Sequence, residues 1–366
     1  MNVWVAVALG SFVAVVGILV ADRLKRRRDE AQAYLKGVRS IVSGDPDAAI
    51  EALSDAARLG TPEAIDTYLA LGALFRREGD LARAVRLHRN MLMGRALDPA
   101  RRPEVERELA EDYRRSGMLA EAAELYARLV PGDVAAAEGL RDVKVEQGDL
   151  DGAIALQRRL GTAGADPILA HLLAARARAA LPGDAAAAVA LAREALSAHP
   201  SSADAFIALA EAEGAAGATA AALDAIGRAL DADPRAAPLA WPGLAAVADA
   251  AAVEAFVAAR ATARPQDAGL HLLHARALQR TDRAAEAVAA ARRALERDAS
   301  GEVTLAMREV LREAAAPGPE DLAARHDVLV QALLLKARAP RCQRCGADAP
   351  SRAWRCRRCG AFDAYA

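Results

Sequence analysis

Leu71-Gly72-Ala73-Leu74-Phe75-Arg76-Arg77-Glu78-Gly79-Asp80-Leu81-Ala82-Arg83-Ala84-Val85-Arg86-Leu87-His88 reads as the end of one helix, a turn, and the start of another. Leu, Ala, Arg and Glu dominate it, and all rank high in helix propensity. Gly79 falls where a helix must stop, a place that favours the one residue without a Cβ. The frame around it is a small residue, Gly seven positions on, Ala five later, then apolar or small residues four and three later. Here it is filled by Gly72, Gly79, Ala84, His88 and Met91.

The frame recurs on both sides. Upstream it is Gly37, Gly44, Ala49, Leu53 and Ala56; downstream it is Ala110, Gly117, Ala122, Tyr126 and Leu129, with Tyr113 in the place of Phe75. Later copies pair Gly148 with Ala153, Gly183 with Ala188, and Gly217 with Ala222. Pro200 and Pro234 close two of them, and a looser last copy carries Ala287 and Ala294. One helical pair cannot bury its own apolar face, whereas stacked pairs share a continuous core. This predicts a tetratricopeptide array of about seven or eight pairs over residues 31–316. Pro238 and Pro242 interrupt the pattern, so a kink or a degenerate pair is expected between Arg235 and Pro265.

Composition agrees with an all-α chain. Of 366 residues 54% are hydrophobic and only 4% aromatic, a balance suited to close helix packing by small side chains. With 48 basic and 49 acidic residues the net charge is -1, which implies no whole-molecule attraction to nucleic acid.

Residues 1–22 read as a transmembrane anchor. Val3 to Ala21 are 19 consecutive uncharged residues. As a helix they span roughly 28 Å, close to the ~30 Å hydrocarbon thickness. Arg23, Lys25, Arg26, Arg27 and Arg28 follow at once, in a basic juxtamembrane segment over 23–30. By the positive-inside rule the N-terminus then faces outward and the bulk lies in the cytoplasm at a bacterial inner membrane. Ala6, Gly10 and Ala14 form a small-xxx-small ladder open to another helix.

No catalytic constellation emerges. His271 and His274 share a helix face but lack a Glu or Cys at metal-ligand spacing, and no phosphate-binding loop or nucleophile elbow is present. The chain reads as a scaffold rather than an enzyme. Arg76-Arg77 and Arg114-Arg115 stand at the same phase of successive repeats. They read either as a cationic ladder for an acidic partner segment or as helix ends whose charge suits the macrodipole.

Past Pro317-Gly318-Pro319, Glu320 to Arg338 reads as an amphipathic connecting helix within 317–340. The segment 341–366 then carries all four cysteines, as Cys342-Gln343-Arg344-Cys345-Gly346 and Cys356-Arg357-Arg358-Cys359-Gly360. Two C-x-x-C-G loops are a tetrathiolate signature, and the metal would supply the folding energy that so short a segment lacks. Four thiolates suit iron and zinc alike and leave no open position, which points to a structural or redox site. The arginines at 341, 344, 352, 355, 357 and 358 offset the negative charge of the thiolates.

The three parts in this order resemble the lipopolysaccharide assembly protein B family, which has a membrane helix, tetratricopeptide repeats and a rubredoxin-type tablet. Phe75-Arg76, Arg86-Leu87-His88, the four cysteines and Trp354 two residues before Cys356 carry the resemblance beyond layout. Arg357-Arg358 stand where that family tends to have Pro, and Phe362 where it tends to have Trp. The resemblance implies an inner-membrane adaptor that regulates lipopolysaccharide synthesis by presenting the lipid A pathway deacetylase to the membrane protease FtsH. The residues themselves fit equally a scaffold for another envelope complex, and an iron tetrathiolate redox protein is the reading from a different class.

Overall fold

The computed structural model describes residues 3–42, 65–94, 97–161, 164–298, 310, 340–349 and 352–365. The chain divides into two compact units, residues 1–156 and 157–366. The first repeat copy from Gly44 to Ala56 and the connecting helix Glu320 to Arg338 lie outside the described residues.

Helix α1 runs unbroken over Val3–Val42, through the apolar run and the basic cluster. Its described side chains begin at Ser11, so Ala6 and Gly10 lie outside them. Phe12, Ile18, Leu19 and Val20 are exposed, and Ala33 packs against the core under Tyr68 and Leu87. Among the described residues no helix is long and apolar enough to cross a membrane. The transmembrane expectation for Val3 to Ala21 is therefore not carried by the structure.

Helical pairs follow. In the first unit they are α2 (Ile65–Glu78) with α3 (Leu81–Met93), α4 (Arg102–Arg115) with α5 (Leu119–Leu129), and α6 (Val134–Glu146) with α7 (Leu150–Leu160), in which the unit boundary falls. In the second they are α8 (Pro167–Ala180) with α9 (Ala185–Ala198), α10 (Ala203–Ala215) with α11 (Thr219–Ala232), and α14 (Ala268–Arg280) with α15 (Ala284–Arg297). Between the last two lies the irregular stretch that Pro238 and Pro242 announced. A 3-10 helix over Pro234–Ala240 runs into the short α12 (Trp241–Ala246), and α13 (Ala250–Ala263) completes the pair. Proline cannot donate to the ladder, so the first helix of this pair is broken in two.

Five turns close with one and the same pair of hydrogen bonds. Asp80 N donates to Phe75 O and Gly79 N to Arg76 O, and the bonds recur at Met118/Gly117, Asp149/Gly148, Ala218/Gly217 and Arg283/Asp282. This is the Schellman arrangement, which requires a left-handed residue after the helix. Gly79, Gly117, Gly148 and Gly217 have φ between +79° and +89°, and in the last pair Asp282 takes the position at +57°. Gly183 is not among the left-handed residues; its turn instead leads to Asp184, whose side chain caps α9 at Ala187 N.

The small positions of the frame form the core. Ala84, Ala110, Ala122, Ala153, Ala188, Ala222, Ala287 and Ala294 are all fully buried. Gly72 faces the His88 ring so closely that a Cβ there would lie 2.3 Å from Nε2. Alanine cores bury little area per residue, and close helix approach compensates with dense packing.

Candidate metal tablet and its seat on the repeats

Residues 340–349 and 352–365 surround the cysteines with three isolated β-bridges, Arg341 to Asp348, Cys342 to Tyr365 and Arg355 to Phe362. In each knuckle the glycine after the second cysteine is left-handed, Gly346 at φ +70° and Gly360 at +74°, and donates to the first cysteine's carbonyl at 2.8 Å. The tight turn aims both sulfurs of a knuckle inward. All four Sγ atoms lie within 4.8 Å of one another, with Cys342 to Cys359 at 3.6 Å and Cys345 to Cys356 at 3.8 Å. A disulfide would need about 2.05 Å. Bonds of about 2.3 Å from a tetrahedral ion set ligand sulfurs about 3.8 Å apart. The donor set and its spacing fit one ion bound by four thiolates, and leave zinc and iron both admissible.

The tablet is seated on the second unit's own helices through His171. That residue sits on α8 and is 4% exposed. Its Nδ1 meets Asp204 Oδ2 at 2.6 Å and its Nε2 meets Asp363 Oδ2 at 2.7 Å. Two carboxylate acceptors call for two N–H donors, which the imidazolium alone supplies. Burial disfavours that charge, but the carboxylates of Asp204 and Asp363 outweigh it and raise the pKa to about 9. Phe362 stacks on the same ring at 5.1 Å with 10° between planes, and Trp354 tilts against it at 5.7 Å. Trp354 also packs on the core that holds Phe206 and Ile207. Asp363 is one of two non-glycine residues with positive φ among the described residues, at +48°. Asp tolerates that region, and the strained backbone delivers its carboxylate to His171.

A cavity of about 300 Å³ lies along this seam, lined by Ser201, Ser202 and Arg235 on the repeat side and Arg352, Trp354 and Tyr365 on the tablet side. Its mixed polar lining suits a peptide segment offering hydrogen-bonding groups.

The arginine pairs fall differently from a free cationic ladder. Arg76 donates to Glu108 Oε2 and Asp112 Oδ1, both at 2.6 Å, and Arg114 bridges Glu111 and Glu146, both at 2.7 Å. Each reaches an acid one repeat further on, so these two are struts between neighbouring helices. Burial opposes their charge, yet the acidic partners raise the pKa of both. Arg77 lies at the surface, 3.6 Å from Glu78, and Arg115 is half-buried. His271 Nε2 meets Pro265 O at 3.0 Å and His274 Nε2 meets Glu254 Oε1 at 3.2 Å, both structural roles. His171 is the residue sequence reasoning missed. Its one signal was Asp204 one repeat length away, an offset of 33 that resembles the 32 and 36 linking Arg76 to Glu108 and Asp112.

Stacked helical pairs of tetratricopeptide type, joined to a four-cysteine tablet, define a helical-repeat protein with a candidate thiolate metal site. Part of the chain is similar to lipopolysaccharide assembly protein B of Escherichia coli strain K12, 28% identical over 109 residues, which are 29% of this chain and 28% of that protein. The match thus spans little more than a quarter of that relative's length. No protein-family model matches the chain. Among solved structures, the MamA protein superposes with a TM-score of 0.37 at 19% identity, over 48% of this chain and 94% of that one. The C-terminal part of a TPR repeat-containing protein from Cytophaga hutchinsonii gives 0.42 at 11% identity, over 72% and 91%.

Proposed function

We propose that this protein is a membrane-anchored adaptor, not an enzyme, whose helical pairs hold a protein partner beside a metal-bound tablet. The observation that carries this reading is the seat of the tablet. Repeats and cysteine knuckles share His171 and enclose one cavity, so a segment bound there would touch both. The partial similarity to lipopolysaccharide assembly protein B supports a role in lipopolysaccharide synthesis, in which the adaptor presents the lipid A pathway deacetylase to FtsH. Cys342, Cys345, Cys356 and Cys359 would hold one zinc or iron ion, whose part is to fix the tablet's shape. Arg77 and Arg115 remain the candidates for contact with an acidic partner segment. Anchoring through Val3 to Ala21 is read from the sequence, in their uncharged run and the basic cluster that follows it.

Depletion of the protein should raise deacetylase abundance and alter lipopolysaccharide content. Unchanged levels of both would remove the lipopolysaccharide reading and leave a scaffold for another envelope complex, to be identified by cross-linking in membranes. Reversible reduction of iron-loaded protein would favour the redox reading instead.

A further inference from the structure

The two cysteine knuckles are copies of one motif. Arg341-Cys342-Gln343-Arg344-Cys345-Gly346-Ala347 and Arg355-Cys356-Arg357-Arg358-Cys359-Gly360-Ala361 differ at a single position. They also close alike. Cys342 N donates to Ala347 O at 2.9 Å and Cys356 N to Ala361 O at 2.8 Å. Arg341 Nε donates to Gly346 O at 2.9 Å, and Arg355 Nε to Gly360 O at 3.1 Å. In both the first cysteine is buried and the second half-buried. Left to themselves the halves should therefore hold a metal equally well.

They diverge at the eighth residue. Asp348 stands 3.9 Å from Arg341, and both are exposed. Its counterpart Phe362 has the Arg355 guanidinium 5.7 Å from its ring centroid and stacks on His171. Trp354 and Asp363 flank the second knuckle on either side, and both touch His171. The tablet residues that line the seam cavity all come from 352–365. Among the described residues the repeats thus grip one copy of the motif directly, and the other is tied to it through Gln343 N to Ala364 O at 2.6 Å and the Cys342 to Tyr365 bridge.

We propose that the thiolate site opens asymmetrically: Cys342 and Cys345 are the exchanging half through which a soft divalent cation enters and leaves, while the repeats hold Cys356 and Cys359 in ligating geometry. Segments with fewer packed contacts open more often, and the ligands on them dissociate first. The inference rests on the tetrathiolate reading given above.

The test uses the full chain in detergent. Zinc content is measured first, the metal is then removed with a chelator, and the metal-free chain is pulsed with N-ethylmaleimide and mapped by mass spectrometry. Cys342 and Cys345 should label about ten times faster than Cys356 and Cys359. Equal rates, or faster labelling of the second pair, overturn the proposal. His171→Ala should bring the two rates together with the helical circular dichroism retained, and Asp363→Asn should do so in part; a ratio unchanged in both overturns the cause assigned to it. Absence of zinc binding would remove the tetrathiolate reading, while the labelling ratio still decides the asymmetry.

Discussion

His171 Nε2 and Asp363 Oδ2 meet at 2.7 Å across 192 residues of chain, and this contact joins the cysteine tablet to the helical pairs of its unit. With Asp204 on the other ring nitrogen, His171 is an imidazolium whose pKa is raised to about 9. A group with a raised folded-state pKa contributes its stability fully below the unfolded value of about 6.5, and loses it as pH climbs through the folded one. The seat of the tablet should therefore be firm at neutral pH and weaken between about pH 7 and 10, by about 2–3 kcal/mol for a shift of this size. NMR titration of the His171 ring checks this, and Asp363→Asn, which tolerates the same left-handed backbone, should lower the observed pKa. A pKa near 6.5 in the parent would contradict the double carboxylate contact.

Removing Cys342 and Cys345 together as serines should abolish stoichiometric metal. It should also loosen the tablet, because a segment this short has no apolar core to replace the ion. Zinc and iron content of purified protein, with proteolysis mapped to residues beyond 340, reads both effects. Full metal occupancy in this variant would show that Cys342 and Cys345 are not ligands, despite their 3.6 Å and 3.8 Å approaches to Cys359 and Cys356.

Two glycines of the same helical pair should fail for different reasons when changed to alanine. At Gly72 the new Cβ would stand 2.3 Å from Nε2 of the buried His88 ring, which has no room to retreat, so overpacking of about 1–3 kcal/mol is expected. At Gly79 nothing lies within 4 Å, but φ is +89°, and an L-residue there costs about 1–2 kcal/mol. Shrinking the partner should separate them: His88→Ala relieves Gly72→Ala and leaves Gly79→Ala unchanged, as a double-mutant cycle in urea would show.

These glycines also explain how much could be read in advance. Gly79, Gly117, Gly148 and Gly217 announced their turns because a left-handed residue at a helix end leaves a mark in the sequence. The buried alanines at 84, 122, 153 and 222 did the same, since only a small residue fits where helices touch. The four cysteines were legible from local spacing. The seat of the tablet was not, because Phe362 and Asp363 meet His171 across the length of a unit, and no period in the sequence links them. The arginines misled in part for the same reason. Arg76 and Arg77 look alike in sequence, and only the next helix decides that one is a strut and the other faces outward.

That difference gives the sharpest separation among single changes. Asp112 has no exposed surface and divides its oxygens between Arg76 Nη1 and His88 Nδ1, each at 2.6 Å. Arg76→Ala strands part of that buried carboxylate and frees Glu108 as well, so it should cost about 3 kcal/mol, toward the lower end for a buried pair broken on one side. Arg76→Lys should recover only a fraction, because one ammonium cannot serve Glu108 and Asp112 with the fixed fork of a guanidinium. Arg77→Ala, one residue along and 75% exposed, should leave stability nearly unchanged. If Arg77 is instead a contact for an acidic segment, the same variant should weaken recovery of cross-linked partners from membranes while the repeats melt as before. Hydrogen exchange over 65–115 and partner recovery, measured on the same three variants, distinguish a strut from a binding residue: Arg76 should move the first and Arg77 the second.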